Sequence, residues 1–193
     1  MKLWLIRHPA PLDAAGRCYG RTDLNVAAAT VAATARDLRP LLPESFDAVV
    51  SSPRRRCTAL AAALSDHYDL DDRLAELDFG AWEGQLWADI DRAAFDQWAA
   101  DYVTRTPPGG ESWSDVQQRV GQWLGELRSQ PFERVAVVTH TGVIRALLSL
   151  VIELPLVSTW RIDLPFGAVV TLELGPTAEA DSFVGLVAPL PTP

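Results

Sequence analysis

Short apolar runs and longer periodic stretches alternate along the chain. Leu3-Trp4-Leu5-Ile6, Phe46 to Val50 and Val135-Ala136-Val137-Val138 are the compact runs. They suit strands covered on both faces of a parallel sheet. Further strand patterns span Thr159 to Leu164, Ala168 to Leu174 and Phe183 to Val187, and the Pro-ended tail should fray.

Between these runs the spacing lengthens to that of helices. Val26 to Leu38 is alanine-rich and stops before Pro40. Ser51-Ser52-Pro53 predicts a helix start, with Ser52 as N-cap, Pro53 at the first helical position and a helix running through Leu64. Trp87 to Val103 brings Ile90, Phe95, Trp98 and Tyr102 near one face. After Pro107-Pro108-Gly109-Gly110, Ser112 caps a helix with Asp115 as its box partner. That helix buries Val116, Val120, Trp123, Leu124 and Leu127. A last helix covers Val143 to about Val151. The alternation predicts an α/β fold, a three-layer sandwich with a mostly parallel central sheet flanked by helices. The expected organisation is one domain over residues 1–193, with about 77–112 as a helical lid insertion.

Ligands of open α/β sheets bind beyond the carboxyl ends of the strands. There the chain delivers Arg7-His8-Pro9, then Ser51-Ser52 with Arg56 one turn on, then His140. Parallel neighbours would gather two imidazoles and two guanidinium groups at one edge. Arg54, Arg55 and Arg56 also oppose the dipole at a helix start, which a bound anion would offset. Arg54 and Arg55 are expected to be solvated surface residues. Guanidinium forks match phosphate oxygens. A neutral imidazole can hold a phosphoryl group covalently, and a carboxylic acid must protonate the leaving alkoxide.

Composition narrows the partners. A net charge of −8 argues against a nucleic-acid binder. Cys18 and Cys57 read as small buried hydrophobes rather than a disulfide framework, and no CxxC or HExxH spacing supports a metal site. No apolar stretch approaches a membrane span, and the four apolar residues after Lys2 are too few for an export signal. Cytoplasm is the expected location, with no membrane partner.

Arg7-His8-Pro9 resembles the Arg-His-Gly signature of the histidine phosphatase superfamily, also called phosphoglycerate-mutase-like. Ser51-Ser52-Pro53-Arg54-Arg55-Arg56 is similar to its Ser-Ser-x-x-x-Arg segment, Glu76-Leu77-Asp78-Phe79-Gly80 to its acid segment, and Val138-Thr139-His140-Thr141-Gly142 to its second histidine motif. The four motifs occur in family order. The resemblance implies His8 as nucleophile, Arg7, Arg56 and His140 as the phosphate pocket, and Glu76 as proton donor in preference to Glu83. It implies no cofactor. Arg17-Cys18-Tyr19-Gly20-Arg21-Thr22-Asp23-Leu24 resembles a segment of the α-ribazole-phosphatase-like branch, with Arg21 and Thr141 as further substrate contacts. A surface-loop role for Arg21 and for Glu111 stays equally open.

Pro9 replaces the signature glycine, and Ala10-Pro11-Leu12-Asp13-Ala14-Ala15 follows where the family often has polar residues. These departures weigh against mutase chemistry. The expected activity is a metal-independent phosphomonoesterase on a small-molecule phosphate ester, with α-ribazole 5′-phosphate among the candidates. A phosphoglycerate mutase and a catalytically silent anion-binding module are the alternatives. A homodimer is left open.

Overall fold

The computed structural model describes residues 1–188. The first apolar run becomes β1 (Lys2–Arg7), paired in parallel with β4 (Arg134–Thr139). β2 (Ala48–Ser51) lies parallel on the other side of β4, and β3 (Asp69–Leu70) extends that edge in parallel. β5 (Val169–Glu173) and β6 (Ser182–Val187) add antiparallel strands beyond β1. The order is β3-β2-β4-β1-β5-β6.

Burial on both faces explains why the central runs carry no polar alternation. On one face, Leu3, Leu5, Val135, Val137, Val170 and Leu172 pack with α4 (Trp113–Arg128) and α5 (Thr141–Val151). On the other, Trp4, Ile6, Val49, Ala136 and Val138 meet α1 (Ala28–Leu38) and α2 (Arg55–Leu64). Each fully buried leucine or isoleucine here contributes about 1.5–3 kcal/mol by leaving water. This is the three-layer α/β arrangement expected. No helix among the described residues is long and apolar enough to cross a membrane.

Four elements depart from the sequence reading. Thr159 to Leu164 is not a strand: Leu156–Arg161 forms a 3₁₀ helix. The Thr159 hydroxyl donates to the Leu156 carbonyl at 2.6 Å, a local bond that competes with strand pairing. The helix expected over Trp87 to Val103 shrinks to α3 (Arg92–Ala99), preceded by a 3₁₀ turn at Trp87–Asp89. Asp91 sets the α3 start, accepting the Ala94 N–H at 2.8 Å. Ser52 is not the N-cap of α2; Arg54 occupies that position and Pro53 stays outside the helix. Ser52 is engaged by His140 instead, as described below. β3 is too short and too exposed to show a pattern in the sequence. The Ser112–Asp115 capping box forms as expected. The Pro-ended tail past Ala188 lies outside the described residues.

Candidate active site

The register of the three central strands builds the site. Arg7 pairs with Thr139 and Ser51 with Val138, so His8, Ser52 and His140 leave the sheet at one edge. Backbone pairing continues one step further: His8 N–H donates to Thr139 at 3.0 Å and Ser52 N–H to Val138 at 2.9 Å. The two imidazoles end with ring centroids 5.0 Å apart, edge to face at 65°.

Hydrogen bonds assign the tautomer of each ring. His8 Nδ1 lies 2.7 Å from the Pro9 carbonyl oxygen, which can only accept. Nδ1 therefore carries the proton, and Nε2 of the neutral ring holds a free lone pair. Pro9 thus serves through its carbonyl, which any residue would supply. His140 Nδ1 accepts from Arg56 Nε at 3.3 Å, so its Nε2–H donates to Ser52 Oγ at 2.7 Å. Burial holds both rings well below the ordinary imidazole pKa. For His8, Arg56 and Arg7 add to the effect, while for His140 the main additions are His8 and Arg56.

Arg7 and Arg56 both lack a carboxylate in ion-pair contact among the described residues. Arg56 is fully buried and donates to the carbonyls of Thr22 at 2.7 Å and Gly20 at 2.6 Å. Arg7 donates to the Leu164 carbonyl and stacks 4.0 Å over Phe166, while its buried Nε has no partner. Its pKa is lowered by burial, although nearby Glu76 and Tyr19 oppose that. Buried cations without paired acids are costly, and an anion between them would offset that cost.

The two candidate acids have different surroundings. Glu83 accepts the backbone N–H groups of Gly20, Arg21, Thr22 and Phe79 at 3.0, 2.8, 2.9 and 3.1 Å, and the Thr22 hydroxyl as well. It ties the 20–22 loop to the 79–83 turn. Glu76 is buried, accepts Leu77 N–H at 3.0 Å and Gly142 N–H at 3.2 Å, and lines the cavity over His8.

That cavity, about 150 Å³, has His8, Arg56, Glu76 and Thr141 among its polar lining. Tyr19, Phe79, Trp87, Trp113 and Trp160 supply aromatic walls. Arg21 is not among the lining residues; it pairs with Glu111 at 3.3 Å, which in turn holds Arg119 at 3.0 Å. Arg17 lines the cavity in its place. Arg55 is exposed and paired with Asp23 at 3.3 Å, whereas Arg54 is only half-exposed with a buried, unpartnered Nε. Sequence reasoning missed Arg17 and the tryptophans as wall residues. The seven tryptophans are the one signal of such walls in the sequence, and core filling is the commoner use of that residue type.

Residues 3–180 match the family model of the histidine phosphatase superfamily, branch 1. The adenosylcobalamin/α-ribazole phosphatase of Escherichia coli K12 is 31% identical over 177 residues, covering 84% of this chain and 86% of the relative. Phosphoserine phosphatase 1 of Hydrogenobacter thermophilus is 28% identical over 169 residues, covering 83% and 80%. The crystal structure of the α-ribazole phosphatase from Shigella flexneri superposes with a TM-score of 0.86 at 26% identity, covering 96% of each chain. The chain belongs to the histidine phosphatase superfamily. Its class is that of phosphoric monoester hydrolases.

Proposed function

We propose that the chain is a metal-independent phosphomonoesterase that works through a phosphohistidine within a single domain. The observation that carries this reading is the Nδ1–H bond from His8 to the Pro9 carbonyl, which leaves Nε2 unprotonated beside two guanidinium groups. His8 Nε2 attacks phosphorus as the bond to the alcohol oxygen breaks. The departing oxygen takes the proton of the Glu76 carboxyl. Arg7, Arg56 and Thr141 stabilise charge on the equatorial oxygens, and His140 joins them by turning its Nε2–H from Ser52 Oγ to a phosphate oxygen. Water then attacks the phosphohistidine, giving its proton to the Glu76 carboxylate. Inorganic phosphate leaves and the His8 lone pair is restored.

The substrate is a small-molecule phosphate ester. The name of the Escherichia coli relative and the resemblance of Arg17 to Leu24 both support α-ribazole 5′-phosphate. Arg21 acts here through its ion pair with Glu111, steadying the loop behind the pocket. The test is hydrolysis of a generic aryl phosphate by His8→Ala. Loss of activity to background is expected, and retention of most activity in rigorously purified protein would sink the assignment.

A further inference from the structure

Arg145 is a buried cation that the phosphoryl step leaves without a role. It lies one turn into α5 beyond Thr141, and no acid forms an ion pair with it among the described residues. Its guanidinium donates to the carbonyls of Thr159 and Ile162, the latter at 3.1 Å. These residues bracket Trp160, and the same guanidinium stacks 4.5 Å from the centre of the Trp160 ring. One side chain therefore fixes both the backbone of this turn and the plane of its indole.

Trp160 is held but not hidden. It is 47% exposed, and it stands at right angles to Trp113 and Tyr102 with centroids 5.6 and 5.9 Å away. A tryptophan serving the core would be covered. Trp87, from the segment between β3 and α3, is 38% exposed and braced at right angles to Phe79 at 5.4 Å. Both indoles line the cavity that His8 and Glu76 line. A phosphate ester seated on His8 must put its alcohol portion against these walls.

We propose that Trp160, positioned by Arg145, is a specificity-determining residue that receives a planar apolar ring in the alcohol portion of the ester. Trp87 supplies a second aromatic wall. The inference rests on the phosphatase reading of the site and adds the feature of the substrate that is read. An indole fixed in advance loses little freedom when a ring packs on it, so the contact favours aromatic over chain-like alcohols.

The test compares benzyl phosphate with n-butyl phosphate, two primary alkyl esters that differ in the ring. The ratio of their kcat/KM values on one preparation does not depend on how much of it is folded. Trp160→Ala should lower the benzyl-to-butyl ratio roughly threefold to tenfold, and Trp160→Phe should keep it within about twofold. Arg145→Met should lower the same ratio, mainly by raising KM for benzyl phosphate. If Trp160→Ala leaves the ratio within about twofold of the unsubstituted protein, the Trp160 assignment is overturned while the phosphatase reading stands. If the unsubstituted protein hydrolyses neither ester, the phosphatase reading itself fails.

Discussion

Gly142 and Glu76 share a space that one methyl group would close. A Cβ on Gly142 would lie 2.1 Å from Glu76 Oε1 and 2.4 Å from the Trp113 ring, while Gly142 N–H donates to Glu76 Oε2. The first turn of α5 therefore both completes the second histidine motif and seats the Glu76 carboxyl. Gly142→Ala should displace the carboxyl and lower kcat by about 100-fold, the low end of what a positioned general acid contributes. Overpacking should cost about 1–3 kcal/mol of unfolding free energy. Steady-state kinetics beside urea unfolding check both, and a kcat within about threefold of the parent contradicts the placement.

Glu76 and Glu83 should separate cleanly on substitution. Glu76→Gln keeps the packing but removes the exchangeable acid, so kcat should fall at least about 100-fold with little change in Tm. Glu83→Ala strands four backbone donors and should cost about 2–4 kcal/mol of stability. Burial alone would raise the pKa of Glu83, yet its hydrogen bonds to Thr22, Gly20, Arg21 and Phe79 hold it below the ordinary value. Its stabilisation is therefore complete above the unfolded carboxylate range, about pH 4.3, and drains as pH falls through the lower folded value. Glu83→Ala should flatten the acid limb of a stability–pH curve. An unchanged limb and unchanged Tm would assign the loop's order to other contacts.

His8 and His140 predict a stability profile of their own. Both folded-state values lie well below the ordinary one, so above about pH 6.5 the rings are neutral in folded and unfolded chains alike. Below that value the unfolded chain takes up protons that the folded chain refuses. Stability should then drop as pH falls, by up to about 1.4 kcal/mol per pH unit for each ring. Urea titrations between pH 7 and 5.5 measure the slope, and imidazole NMR identifies the rings. A midpoint near 6.5 for either ring would contradict its buried neutral state.

The sheet and the gathering of His8, Arg56 and His140 were legible because apolar runs end abruptly in polar residues. Such runs have one good location in an α/β fold, and their ends face one edge. The cavity walls were not legible. Trp160 sits in a stretch whose Thr159, Trp160 and Ile162 fit a strand, and the 3₁₀ turn is held by the Thr159 hydroxyl bond to Leu156 together with the long-range bonds from Arg145. Ser52 misled in a related way. Its type suits a helix cap, but His140 Nε2, 88 positions away in the chain, claims its oxygen at 2.7 Å. Arg17 and Arg21 lie in the same loop and are indistinguishable as sequence; the Glu111 partner separates them.

Covalent capture of the phosphoryl group tests the nucleophile most directly. Brief mixing with a labelled phosphate ester, an acid-free quench and peptide mapping should place the label on His8, with none on His140. The label should vanish in His8→Ala and persist longer in Glu76→Gln, where water is no longer activated. Turnover of the same ester with no label on His8 at any mixing time, or with label on another residue, would contradict it.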